Sequence, residues 1–370
     1  MNRRHSLKLL AAAAAYAQLP RCGDRAGLPF PVHLSGANDR LGHKLREGRF
    51  PDPTRTSEQR VLIVGAGVAG LSAARTLAQA GVRDFLVIDL EVRPGGNSRG
   101  GSNKHGRFPL GAHYLPVPDP SDEALIDFLR ECGVCGGIDG TSGLPIHGEE
   151  HLCADPHERL FMNGVWRSGL RPRHALNVDE EAQFERFEAC MDAFGALKGS
   201  DGRWAFAIPI DRSSQAPDVH HVRALDGITM AAWMRREGFT CPAIQWYVDY
   251  CCRDDYGADM AMVSAFAGIH YFAARRGSAA NAAPGSVLTW PEGNGFLVNA
   301  LFKHSERNWK DRQLAFAVRP VAGAVEVDVY DDAASASVRY RAEHVVLCVP
   351  QFIAGRLLGN ADDRARDDEG

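Results

Sequence analysis

The chain has no second CxxC, no regular cysteine spacing, no large excess of either charge, and no apolar run long enough to cross a bilayer. Each absence removes a class of function. Nine cysteines, an odd number at irregular spacings, define no disulfide framework. The single CxxC, Cys132 to Cys135, has neither a paired CxxC for a zinc site nor a thioredoxin-like helix start, so it reads as two thiols at a helix end. A net charge of −4 makes no electrostatic case for a nucleic-acid partner, and the small cluster of Arg167, Arg171 and Arg173 does not change that. A spanning helix needs about 20 apolar residues. The N-terminal apolar run covers only residues 9–17, so membrane contact is expected only through an export signal.

What is present begins with a segment of different character. Arg3 and Arg4 precede Leu7, Lys8 and the short apolar run, and Ala15-Tyr16-Ala17 offers a small-x-small cleavage site. Residues 1–22 read as a secretory signal. The arginine pair followed by Leu7 and Lys8 resembles the twin-arginine type, so the expected location is the periplasm, with the cytoplasm as the alternative. Cys22 suggests a lipoprotein cysteine, but Arg21 stands where a small residue is needed. Residues 23–58, rich in Gly, Pro, Asp and Arg and without periodicity, read as a linker or loosely packed arm. The remaining chain, within 370 residues of 45% hydrophobic composition, is enough for roughly two domains.

The chemistry starts at residue 61. Val61, Leu62, Ile63 and Val64 suit a strand buried on both faces of a parallel sheet. The loop Gly65-Ala66-Gly67-Val68-Ala69-Gly70 follows at once, then Leu71, Ala74, Leu77 and Ala78 at helical spacing, then Gly81 as a helix stop. A second strand, residues 85–88, ends in Asp89. Gly65 permits the tight turn, Gly67 lets a pyrophosphate approach the backbone, and Gly70 lets helix pack on strand. The helix N-terminus meets the phosphates, and Asp89 is placed to accept from ribose hydroxyls. Strand, loop, helix and acid together predict a dinucleotide-binding βαβ unit over residues 60–89. The unit alone does not choose between FAD and NAD(P).

The next residues bear on that choice. Asp89, Arg93, Gly95 and Gly96 resemble the acid-then-Arg-x-Gly-Gly pattern of the flavin amine oxidase superfamily, which includes protoporphyrinogen oxidases and phytoene desaturases. The resemblance implies FAD, with Asp89 on its ribose and Arg93, Gly95 and Gly96 around its pyrophosphate. Two positions depart from the pattern: Asp89 replaces the usual Glu, and Asn97 stands where an Arg is common. Glu91 would compensate for the shorter acid if the second strand continued that far. Residues 109–114, with Gly111 and Ala112, resemble the loop that passes beside the flavin, and there His113 is a candidate proton carrier or a solvent-facing histidine. The implied cofactor-binding set is Gly65, Ala66, Gly67, Ala69, Gly70, Asp89, Arg93, Gly95, Gly96, Gly111 and Ala112, with no metal and no identified catalytic side chain.

The resemblance implies an α/β fold: a Rossmann-like FAD-binding domain of the glutathione-reductase type with an inserted helical and mixed-sheet substrate domain. The expected division is residues 59–115 for the first part of the FAD domain, 116–280 for the substrate domain, 281–356 for the second part, and 357–370 as a charged tail. Helices are expected over residues 122–129, with Ser121 as N-cap, over 178–197, and over 296–302 after a Pro-x-Gly turn. Strands are expected over 314–318, 325–330, 337–342 and 345–350. The aromatic and charged stretch 247–257 reads as either a pocket wall or a solvated helix end. The Gly-Asp segment with which the family closes its flavin site is not found before Gly370, which implies either a truncated chain or a site completed by another chain, with weak FAD binding by this chain alone. Arg356 falls where monoamine-oxidase-like members carry a lysine, and arginine does not act as a base. The expected function is oxidation of a C–N or C–C bond of a small molecule such as an amine. The alternatives are an NAD(P)-dependent oxidoreductase or a non-catalytic dinucleotide-binding remnant. Oligomeric state is not legible.

Overall fold

A computed structural model of the chain describes residues 36–155, 157–172, 176–283 and 285–359. The expected signal at 1–22, Cys22 and residues 360–370 of the tail lie outside the described residues. The fold is organised on a six-stranded sheet. Its strands are β1 (Thr56–Val64), β2 (Phe85–Ile88), β3 (Trp309–Lys310), β4 (Gln313–Val321), β5 (Ala324–Asp331) and β6 (Ala336–Leu347). They lie in the order β3-β2-β1-β6-β5-β4. The first four are parallel, with Val64 paired to both Ile88 and Leu347, whereas β6-β5-β4 is an antiparallel meander.

Side chains of β1 alternate between two cores, as strand geometry requires. Val61 and Ile63 join Leu71, Ala74 and Val87 under the helix Val68–Gln79. Leu62 and Val64 join Leu86, Val327, Val329 and Tyr340 on the opposite face. Burial on both faces explains why residues 61–64 read as a continuous apolar run. The strand nevertheless begins at Thr56, because β6 is long enough to pair Arg339 with it.

Two expectations are corrected here. Residues 23–58 are not a loose arm throughout: Asp39–Glu47 is a helix, N-capped by the Asn38 side chain and ended by Gly48 at φ 66°. Its Leu41 and Leu45, four apart, are buried in the second core, and Phe50 stacks on Phe316 at 4.2 Å. The expected strands 337–342 and 345–350 are one strand, β6. Exposed Glu343 and His344 break the apolar pattern just where β5 stops at Ala342, but the ladder to β1 runs on through His344. In a smaller correction, Asp122 rather than Ser121 caps the helix Glu123–Glu131, and Ser121 bonds to Asp119 instead.

A third core is built from helices of the middle segment. Phe184 and Phe187 of Val178–Ala196 pack on Trp233, Phe239, Val248 and Ile269. This unit connects to the sheet through an antiparallel pair, Tyr114–Pro116 with Val287–Thr289.

Candidate functional site

The glycine loop lies at the C-terminal edge of β1. Gly65 has φ 103°, and a Cβ there would stand 2.3 Å from the Cys348 carbonyl oxygen. A Cβ on Gly70 would meet the Gly65 carbonyl oxygen at 1.9 Å. Both positions are therefore fixed as glycine by the fold. Gly67 differs, because a Cβ there would meet nothing within 4 Å. It also N-caps the helix Val68–Gln79 with no side-chain hydrogen bond, leaving the helix N–H groups to a ligand. Ala66 is buried, and Ala69 is exposed on the first turn.

Asp89 closes this loop. Its carboxylate accepts from the Ala66 N–H at 2.6 Å and the Glu91 N–H at 2.8 Å. Burial pushes the Asp89 carboxyl up, and these two N–H groups hold it partly back. The second glycine loop is tied to the first: the Gly95 N–H donates to the Ala66 carbonyl at 2.8 Å, and a Cβ on Gly96 would lie 3.4 Å from the Gly67 Cα. Two glycine loops thus lie against each other at a helix N-terminus.

Arg93 does not join this arrangement; its side chain is exposed and makes no hydrogen bond or ion pair. Arg99, which sequence reasoning missed, lies on the loop instead. It donates to the Gly96 carbonyl at 3.2 Å and pairs with Glu91 at 3.1 Å. Glu91 does not compensate for Asp89, because β2 ends at Ile88 and the Glu91 carboxylate is taken by Arg99 and by the Asn38 N–H at 2.6 Å. The only signal for Arg99 is that it falls two residues after Asn97, where the family pattern has a cation.

Gly111 and Ala112 lie beside the second of these loops. The Ala112 N–H donates to the Asn97 carbonyl at 2.9 Å, and a Cβ on Gly111 would meet that same oxygen at 2.4 Å. Gly111 is thus required by the protein's own backbone. Asn97, Gly111 and Ala112 also line a cavity of about 660 Å³. The helical unit supplies its far wall, including Asp254, Asp255, His270, Tyr271 and Arg275.

The polar groups of this cavity are cross-linked. Tyr114 donates to Asp254 at 3.2 Å, Arg275 pairs with Asp255 at 3.0 Å, and the Arg275 guanidinium lies 4.0 Å from the Tyr271 ring centre. Burial raises the Asp255 carboxyl, with Arg275 opposing. The His270 Nε2–H donates to the Ala207 carbonyl at 2.9 Å, and burial lowers the His270 pKa, which favours the neutral ring. His113 lines the cavity too, exposed and edge-on to Tyr114. The stretch 247–257 therefore does contribute a pocket wall, through Asp254 and Asp255. Sequence reasoning missed His270, Tyr271 and Arg275, which reach the cavity from the end of the helix Ala265–Ala273.

Cys132 C-caps its helix and Cys135 is buried in a hairpin, in line with inert thiols. Among the described residues no group of three His, Cys, Asp or Glu is placed to hold a metal.

Comparison with known proteins bears on the fold. A model of the NAD(P)-binding Rossmann-like domain matches residues 63–132. The chain is 29% identical over 196 residues to 15-cis-phytoene desaturase of Narcissus pseudonarcissus, covering 51% of this chain and 29% of that one. Among solved structures, putrescine oxidase bound to putrescine superposes with a TM-score of 0.53 at 18% identity, over 82% of this chain and 60% of that chain. Cyclohexylamine oxidase from Brevibacterium oxydans superposes with a TM-score of 0.55 at 16% identity, over 85% of this chain and 63% of that chain. The chain thus spans 29% of the length of that desaturase and about three fifths of each of those structures. It has the fold of these amine oxidases, as residues 89–96 suggested.

Proposed function

We propose that the chain is an FAD-dependent oxidoreductase acting on a small molecule held in the cavity beside Gly111 and Ala112. One observation carries this reading. Residues 96 and 97 join the two halves of the site: Gly96 lies against Gly67 of the first glycine loop, while Asn97 bonds Ala112 and lines the cavity. A dinucleotide held by Asp89 and the glycine loops would have residues 96 and 97 leading from it to the cavity. The residues fit the group, since the space a Cβ on Gly67 would enter is open and the helix N-terminus behind it is free for phosphate. When bound, FAD supplies the hydride acceptor for oxidising a C–N or C–C bond.

The chain's own residues bind and orient. Asp254 and Asp255 face one cation, Arg275, which Asp255 already neutralises. The remaining carboxylate of Asp254, steadied by the Tyr114 hydroxyl, favours a substrate with a basic nitrogen, which supports an amine. His270, locked by the Ala207 carbonyl, is a neutral wall residue that does not repel such a cation. Residues 1–22 support export by the twin-arginine route as part of this proposal.

The test is reconstitution of the purified chain with FAD, NAD or NADP. The expected result is a flavin absorbance spectrum with quenched fluorescence, no nicotinamide binding, and anaerobic bleaching by an amine. Nicotinamide binding without flavin binding overturns the proposal.

A further inference from the structure

The cavity beside Gly111 has a neighbour of opposite electrical character. Beyond Ile208 lies a second hollow of about 520 Å³, walled by Arg203, Arg212, Arg276 and Trp204. Ile208 lines both cavities and is exposed. The ridge that carries it is held from both sides. His270, on the wall of the first cavity, donates to the Ala207 carbonyl, and Arg276, on the wall of the second, donates to the Phe206 carbonyl.

The charges differ across the ridge. The first cavity has Asp254 and Asp255 against Arg275. The second has three arginines against Asp119 and Asp211. Part of this charge is already committed: the Asp119 carboxylate accepts from the Ser121 N–H and hydroxyl, and Arg212 pairs with Asp122 at 3.2 Å. Among the described residues Arg276 makes no ion pair with a carboxylate. It donates to the carbonyls of Gly195, Ala273 and Phe206 and lies 4.4 Å from the centre of the Trp204 ring. Its Nε–H is buried with no hydrogen-bond partner. Carbonyls orient a guanidinium without neutralising it, and the field of Asp119 offsets its charge only in part. Arg203 makes no ion pair among the described residues and is exposed on the rim.

We infer that the second hollow binds the anionic end, a carboxylate or phosphate, of an elongated substrate whose oxidisable end lies in the first cavity. The two hollows then read one bipolar molecule, with its basic nitrogen toward Asp254 and its anion toward Arg203 and Arg276. The exposed fork of Arg203 is suited to an oxyanion because it donates two parallel hydrogen bonds, while Arg276, whose hydrogen bonds go to carbonyls, adds positive charge behind it. The anion subsite stands on its own geometry, and only its link to an oxidised substrate rests on the proposed function.

The test is calorimetric binding of 6-aminohexanoate, 6-aminohexyl phosphate and hexylamine to the full chain, with and without added FAD. The anionic probes are expected to bind at least about fivefold tighter than hexylamine, and Arg203→Gln should remove most of that advantage. Arg203→Lys should retain part of it, and both variants should melt as the parent does. The tighter of the two anionic probes identifies the anion. Equal binding of all three probes overturns the inference, as does an advantage that survives both Arg203→Gln and Arg212→Gln. Anion binding by a chain that takes up no FAD would sink the oxidoreductase reading while leaving the anion subsite standing. A flavin-loaded chain indifferent to the anion would do the reverse.

Discussion

The carboxylate of Asp89 accepts a 2.6 Å hydrogen bond from the backbone N–H of Ala66, so the acid ending β2 directly holds the glycine loop that follows β1. Its other oxygen takes the Glu91 N–H at 2.8 Å. Hydrogen bonds to a charged acceptor contribute about 1.5–3 kcal/mol each, less the cost of burying the charge. Asp89→Ala is expected to lower stability by about 1–3 kcal/mol in urea denaturation and to weaken FAD binding beyond detection. Asp89→Glu, with the reach usual in the family, should keep FAD binding. An Asp89→Ala protein with an unchanged midpoint would show that these bonds add nothing.

The three fingerprint glycines should separate by experiment. A methyl on Gly65 or Gly70 collides with backbone oxygen at 2.3 or 1.9 Å, whereas on Gly67 it enters open space. Gly65→Ala and Gly70→Ala are expected to destabilise the chain by several kcal/mol, on the order of 3 or more. Gly67→Ala should change stability by less than about 1 kcal/mol yet reduce FAD affinity at least about tenfold. Thermal melts beside flavin titrations decide it. A Gly67→Ala variant that binds FAD normally would mean that the pyrophosphate does not pass there.

What was legible in the sequence follows from burial. Residues 61–64 and 85–88 are enclosed on both faces, and a strand so enclosed must be apolar at every position, which is the pattern these residues show. The helix Asp39–Glu47 was not legible, because it buries only Leu41 and Leu45 and is otherwise polar. β6 was divided in two because its polar residues fall where one neighbour ends, and pairing with β1 leaves no mark on side-chain pattern. Motif spacing located Asp89, Gly95 and Gly96 but passed over Arg99, which bonds the loop, whereas Arg93 is exposed and makes no hydrogen bond or ion pair among the described residues. The cavity's Arg275 lies 161 residues from the Tyr114 that it touches, and no local pattern encodes such a contact.

The cysteines give a chemical prediction. Burial pushes the Cys132 thiol up to about 11, with Glu131 adding to the rise, and pushes Cys251 and Cys252 up to about 12. The thiolate is the reactive form, so at neutral pH these three are nearly inert. Iodoacetamide at about pH 7.5, read by peptide mass spectrometry, should leave them unlabelled in the native chain and label them fully in urea. Labelling of Cys132 at the rate of an exposed peptide cysteine would instead make the CxxC a reactive site.

His147 sets a dependence of stability on acid. It is 2% exposed on the hairpin strand Pro145–His147, and neither ring nitrogen has a well-formed hydrogen bond. Burial lowers its pKa from 6.5, His151 adds to the effect, and only the backbone of Val134 opposes it. The neutral ring is therefore the folded form. A folded pKa below the unfolded one means that stability is full above about pH 6.5 and is lost as pH falls through the folded value. Each unit of depression is worth about 1.4 kcal/mol. Denaturation midpoints of the parent chain should fall between about pH 7.5 and 5.5, and His147→Leu, which has nothing to protonate, should fall distinctly less. His270 is shifted in the same direction and keeps a residual slope in the variant. If His147→Leu loses as much stability over that interval as the parent, the buried ring is not the group that titrates.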